Sequence, residues 1–135
     1  MKMNILIVDD EPGIRTGVSK LLRYYKYIVY EAGDLHQARK ILHDKPIDCV
    51  LLDLRLGEED GLEFLGEIRG NDLQISVIVI TGYGGIQNAV RCMKDGASNY
   101  ITKPIDNELL LSILKREGKY RQSEKKNEAY KVQLA

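Results

Sequence analysis

Four short stretches hold residue types that could do chemistry together: Asp9-Asp10, Asp53, Thr81-Gly82 and Lys103-Pro104. Each closes a run of mostly aliphatic or β-branched residues. Three carboxylates brought to one place repel one another unless a cation is present. A hard divalent cation relieves that repulsion, and Mg²⁺ characteristically takes one or two carboxylates, keeps waters and adds phosphate oxygens. Lys103 adds a fixed positive charge and Thr81 a hydroxyl donor. That set makes an anion cradle beside a cation-held carboxylate, the requirement of phosphoryl transfer, where catalysis is mainly positioning and charge neutralisation. Asp53 is the candidate nucleophile, forming an aspartyl phosphate. Alone it would read as a turn residue, since Asp is common in turns. Its partners reverse that reading.

Those partners meet only if the chain folds to bring them together. Asp48-Cys49-Val50-Leu51-Leu52-Asp53 is an apolar run without alternation, the pattern of a strand covered on both faces. Asn4 to Val8 and Ser76 to Ile80 read the same way, Tyr27 to Ala32 as a shorter strand and Asn99 to Thr102 as a short one. Between them lie helical periods. Pro12 suits a first helical turn, with Glu11 just ahead favourable to the helix dipole, and Ile14, Val18, Leu21, Leu22 and Tyr25 form one face. Asp34 with Gln37 resembles a capping box before Leu35, Ala38, Ile41 and Leu42. A loop through Gly57 precedes a helix starting near Asp60, faced by Leu62, Leu65 and Ile68. Ile86, Ala89, Val90 and Met93 give the next apolar face, with Gly96 ending that helix. The last helix carries Leu109, Leu110, Ile113 and Leu114.

Five strands alternating with five helices predict an α/β fold of parallel βαβ units, a doubly wound flavodoxin-like sheet of order 2-1-3-4-5. In such a sheet the ends of strands 1, 3, 4 and 5 share one edge, so the four stretches converge.

Composition narrows the function classes. With 135 residues, 44% hydrophobic and 30% charged, the chain suits one globular domain. Lys+Arg and Asp+Glu number 20 each, so neither nucleic acid nor an anionic membrane is an expected partner of this domain. No apolar run reaches membrane-span length and the N-terminus lacks signal-peptide regions, so a cytoplasmic protein is expected. Cys49 and Cys92 have no metal-ligand spacing, and Cys49 reads as a reduced core thiol. His36 and His43 receive no role.

Asp9-Asp10, Asp53, Thr81-Gly82 and Lys103-Pro104, in this order on these strand ends, resemble a response-regulator receiver domain of two-component signalling, over residues 4 to about 118. Ile80-Thr81-Gly82-Tyr83-Gly84, with Arg55 two residues after Asp53, is similar to receivers of nitrogen-regulator-C-like activators. The resemblance implies that Asp53 accepts a phosphoryl group from a sensor histidine kinase or a small phosphodonor. It implies Mg²⁺ held by Asp10, Asp53 and the Arg55 backbone carbonyl, with Asp9 acting through a water. Lys103 would contact the phosphoryl oxygens and Thr81 would bond to them after transfer. Tyr100 becomes the switch aromatic, which otherwise reads as a half-buried strand residue, and the face of helix 4, strand 5 and helix 5 changes partner affinity. A cis Lys103-Pro104 peptide is also implied. Arg55 and Tyr83 are expected to flank the acyl phosphate and slow its hydrolysis.

Many receivers carry Met-Pro where this chain has Leu56-Gly57, so the loop is expected to be less preorganised. Residues 1–118 then form the receiver, and 119–135 a charged helical extension or linker towards an ATPase and DNA-binding output domain. A seam of Ile113, Tyr120, Asn127 and Leu134 supports a coiled coil only weakly, and a homodimer on activation is an expected partner state. Two other classes use related features. A haloacid-dehalogenase-like phosphatase needs a second Asp two residues after the nucleophile, where Arg55 stands. A flavin or nucleotide carrier would find its phosphate repelled by Asp9-Asp10. No enzyme activity is expected beyond self-phosphorylation and self-dephosphorylation at Asp53.

Overall fold

The computed structural model describes residues 2–134 apart from 72 and 83, with side chains described through residue 123. The chain divides into two compact units, Met1–Ile105 and Asp106–Ala135. In the first, β1 (Asn4–Val8), β2 (Ile28–Ala32), β3 (Cys49–Leu52), β6 (Ser76–Thr81) and β7 (Asn99–Thr102) form one parallel sheet. Its order is β2-β1-β3-β6-β7. The expected order, 2-1-3-4-5, changes in numbering because a second sheet intervenes. Where a loop was expected after Asp53, Arg55–Leu56 (β4) and Glu59–Asp60 (β5) pair as a two-stranded antiparallel ribbon.

Four helices connect these strands: α1 (Pro12–Tyr24), α2 (Leu35–Asp44), α3 (Gly61–Gly70) and α4 (Ile86–Lys94). Period-two alternation sends Leu6, Val8, Val50, Leu52, Val77 and Val79 to one face of the sheet. There they cluster with Leu35 and Ala38 of α2, Phe64, Leu65 and Ile68 of α3, and Cys92 of α4. Ile5, Ile7, Leu51 and Ile78 take the opposite face and are equally buried. Both cysteines are buried, and neither is in a disulfide.

Local chemistry accounts for the helix ends. The Gln37 N–H donates to Asp34 Oδ1 at 2.8 Å, and Gln37 Oε1 accepts from Gly33 rather than from Asp34, one residue earlier than a capping box requires. Gly96 takes φ +105° after α4, with Gly96 N–H on Met93 and Ala97 N–H on Cys92, a Schellman ending. Lys26 does the same after α1 without glycine's freedom, at φ +73°.

Two expected faces are corrected. Tyr25 is 43% exposed, because α1 has ended there and the chain turns away. Ile86, Val90 and Met93 are 83%, 47% and 48% exposed; the buried residue of α4 is Cys92, so the large apolar stripe faces outward.

The second unit is α5 (Asn107–Leu134), in which Leu110, Ile113 and Leu114 are buried. Asp106 Oδ1 accepts the Leu109 N–H at its start. The segment beyond Gly118 continues this helix without a break. The side chains of Asn127 and Leu134, half of the expected seam, lie outside the described residues. No helix among the described residues is long and apolar enough to cross a membrane.

Candidate functional site

Sheet register builds the site. Val8 pairs with Leu52, so Asp9 and Asp53 each stand one residue past a shared rung. Both backbones are fixed there, with Asp9 N–H on Ala32 O at 3.1 Å and Asp53 N–H on Val8 O at 2.9 Å. Thr81 pairs with Thr102, and the Lys103 N–H donates to Thr81 O at 2.9 Å, which sets Lys103 one residue past the opposite rung. The Lys103–Pro104 peptide is cis.

From that position the Lys103 ammonium reaches three carboxylates. It lies 2.7 Å from Asp53 Oδ2, 2.9 Å from Asp9 Oδ2 and 3.1 Å from Glu11 Oε1. Each buried carboxylate uses its second oxygen on a nearby amide: Asp53 Oδ1 accepts from Arg55 N–H at 3.1 Å and Asp9 Oδ1 from Glu11 N–H at 2.9 Å. Asp10 is exposed, and its Oδ2 accepts the Gly57 N–H at 2.8 Å.

Burial and charge compete at Asp9 and at Lys103. Burial raises the Asp9 carboxyl above its ordinary value, against the Glu11 amide and Lys103, which lower it. Burial alone would lower the Lys103 ammonium, but the hydrogen bonds it donates to Asp53, Asp9 and Glu11 more than reverse this and hold it protonated. Carboxylate oxygens of Asp9, Asp10, Glu11 and Asp53 all lie within 4.8 Å of one another. An all-oxygen, all-anionic donor set of that span suits a hard divalent cation such as Mg²⁺.

The structure therefore brings together Asp9, Asp10, Asp53 and Lys103. Thr81 is fully buried at the end of β6, beside Lys103 in register. Tyr100 is half-buried on β7, packed against the core cluster. Arg55 opens the ribbon, and its amide holds Asp53. Tyr83, expected to flank the phosphoryl group with Arg55, lies outside the described residues.

Three residues carry more than the sequence reading assigned them. Glu11 was read for the helix dipole, yet its side chain bonds to Lys103 across 92 positions of sequence, which no local pattern signals. Gly57 contributes its amide to Asp10. Gly61 lies so close under the site that a β-carbon there would overlap the Asp53 carbonyl oxygen. The recurrence of Gly four residues after Gly57 was the available signal for a tight fold-back.

Comparison with known proteins converges on one family. A family profile described as the response regulator receiver domain matches residues 5–115. An NtrX-like response regulator of Rickettsia bellii is 40% identical over 116 residues, covering 84% of this chain and 24% of the relative. The chain spans about a quarter of the length of the curated relatives it matches. Among solved structures, the beryllofluoride-activated NtrC4 receiver domain dimer superposes with a TM-score of 0.79 at 32% identity, covering 84% of this chain and 94% of that one. A Burkholderia pseudomallei response regulator, solved with a phosphorylated aspartic acid, calcium ion and citrate, gives 0.79 at 29% identity, covering 92% of this chain and 73% of that one.

Proposed function

Because the chain belongs to the response regulator receiver domain family, we propose that it accepts a phosphoryl group on Asp53 from the phosphohistidine of a sensor histidine kinase, in the cytoplasm. The observation that carries this reading is the Lys103 ammonium 2.7 Å from Asp53 Oδ2, inside a cluster of further carboxylates. An Asp53 oxygen forms the new bond to phosphorus as the bond to the histidine nitrogen breaks, and the electron pair leaves with the imidazole. Lys103 exchanges a carboxylate contact for a phosphoryl oxygen, neutralising charge as it builds. The Thr81 hydroxyl donates to the phosphoryl group after transfer. Asp10, Asp53 and the Arg55 carbonyl would hold Mg²⁺, with Asp9 acting through a water; the bound cation supplies charge neutralisation to the phosphoryl oxygens.

The switch reading follows from the same residues. Thr81 moves towards the phosphoryl group and Tyr100 turns inward behind it, altering the surface formed by α4 and β7. The apolar stripe Ile86, Val90 and Met93 already lies open on α4, and we assign it to a homodimer formed on activation. Residues 1–118 serve as the receiver and 119–135 as the lead into an output domain of the ATPase and DNA-binding kind, in transcription control. Activity is confined to Asp53 itself.

Incubation with Mg²⁺ and acetyl phosphate tests the central claim. Intact-mass measurement should show one phosphoryl group on the wild type and none on Asp53→Asn. An unmodified wild type, or an equally modified variant, would remove it.

A further inference from the structure

The segment after Asp53 has glycine at position 57, where a less preorganised loop is expected, yet it is ordered by hydrogen bonds. Arg55 pairs with Asp60 and Leu56 with Glu59, leaving Gly57 and Glu58 as a two-residue turn. Among these two, Gly57 alone has positive φ, +63°. Positive φ at the first turn position only is the type II′ pattern, for which glycine is favoured. The amide of that residue lies outside the ribbon's own ladder, and it donates to Asp10 Oδ2 at 2.8 Å.

The ribbon is fastened on every other side. Its entry is held by the Arg55 amide on Asp53 Oδ1, and its exit by the Gly61 amide on Leu54 O at 2.8 Å. Leu56 is buried in the core. On the far strand, Glu59 Oε1 accepts the Leu35 N–H at the first turn of α2 at 3.2 Å, where a carboxylate also meets the positive end of the helix dipole. Asp60 then caps α3 through the Leu62 amide.

We propose that this ribbon is the positioning element of the cation site: the Gly57 amide orients the Asp10 carboxylate, and the Glu59 anchor on α2 holds Gly57 where it can do so. The inference rests on the proposed function, because it assigns Asp10 to the cation. It reverses the expectation drawn from the missing proline. Proline at 57 would fix φ near −65° and remove the donor, so Asp10 would lose this bond.

The test is Mg²⁺ affinity by titration calorimetry, paired with hydrogen exchange of the Gly57 amide in cation-free protein and thermal unfolding of each variant. Partners that orient metal ligands typically change affinity about tenfold or more when removed. Gly57→Pro should therefore bind Mg²⁺ about tenfold more weakly, and Gly57→Ala, which keeps the amide but resists positive φ, less so. Glu59→Ala should weaken binding with every ligand intact, while Glu59→Gln, which keeps the acceptor oxygen, should stay near wild type. The Gly57 amide should be protected in wild type and unprotected in Asp10→Ala. If Gly57→Pro does not fold, Gly57→Ala and Glu59→Ala carry the test. Wild-type affinity in both Gly57 variants and in Glu59→Ala would overturn the inference while leaving the proposed function intact. A wild type that binds no Mg²⁺ and takes no phosphoryl group would overturn both.

Discussion

Lys103 divides one positive charge among Asp9, Glu11 and Asp53, and only Glu11 of the three is exposed. Its pKa is raised in the fold, so the stabilisation it brings is complete below its ordinary value of 10.5 and is lost only as pH rises through the folded value. Asp9 is raised as well, so its own contribution is present below the ordinary 3.8 and lost as pH climbs through the folded value. Near neutrality the buried carboxylates therefore depend on Lys103. Lys103→Met leaves them unpaired and should cost about 3–5 kcal/mol at neutral pH. Urea unfolding at neutral and at acid pH should show the deficit shrinking towards acid, as the Asp9 carboxyl, raised by burial, protonates; a pH-independent deficit would contradict this. Gly61 sets a steric limit at the same spot. A Gly61→Ala side chain must push the Asp53 backbone aside, so it should cost about 2 kcal/mol or more and slow phosphoryl acceptance from acetyl phosphate.

At the scale of elements, two helix endings use one motif with different residues. Gly96 occupies the left-handed position after α4, Lys26 the same position after α1. In the latter, Lys26 N–H bonds to Arg23 O at 2.9 Å and Tyr27 N–H to Leu22 O at 3.1 Å, so the geometry is set by hydrogen bonding rather than by the residue's preference. Lys26→Gly should then raise stability by about 0.5–1 kcal/mol in thermal unfolding. Gly96 was legible in sequence because glycine advertises that conformation; Lys26 was not, because lysine usually marks nothing more than a helix end. α4 teaches a related lesson. Ile86, Val90 and Met93 repeat at helical spacing, and the period identifies a face without saying what the face meets. The buried residue is Cys92, with Ala89 half-buried, both small enough for α4 to approach the sheet.

For the whole molecule, the outward apolar stripe of α4 is the surface assigned to the proposed activation dimer. With Mg²⁺ and beryllofluoride, sedimentation should show the wild type moving from monomer to dimer and Asp53→Asn remaining monomeric. Val90→Lys should leave the monomer's stability within about 0.5 kcal/mol, as exposed positions do, and weaken that dimer about tenfold or more. An unaltered dimer in Val90→Lys would place the contact elsewhere.

The amino-acid sequence by itself determined the alternation of strands and helices, because burial on one face or two leaves a period that can be read locally. It also determined the candidate set Asp9, Asp10, Asp53, Thr81 and Lys103, because residues closing parallel strands must share an edge. Tertiary structure alone decided which atoms meet. Glu11 joins Lys103, Gly57 turns its amide to Asp10 and Glu59 reaches α2, all between residues 24 to 92 positions apart in sequence. A contact of that separation follows from the relative placement of whole elements, which no local period encodes. The ribbon after Asp53 shows the point most directly: a missing proline reads as looseness, and only the folded chain supplies the hydrogen bonds that replace it.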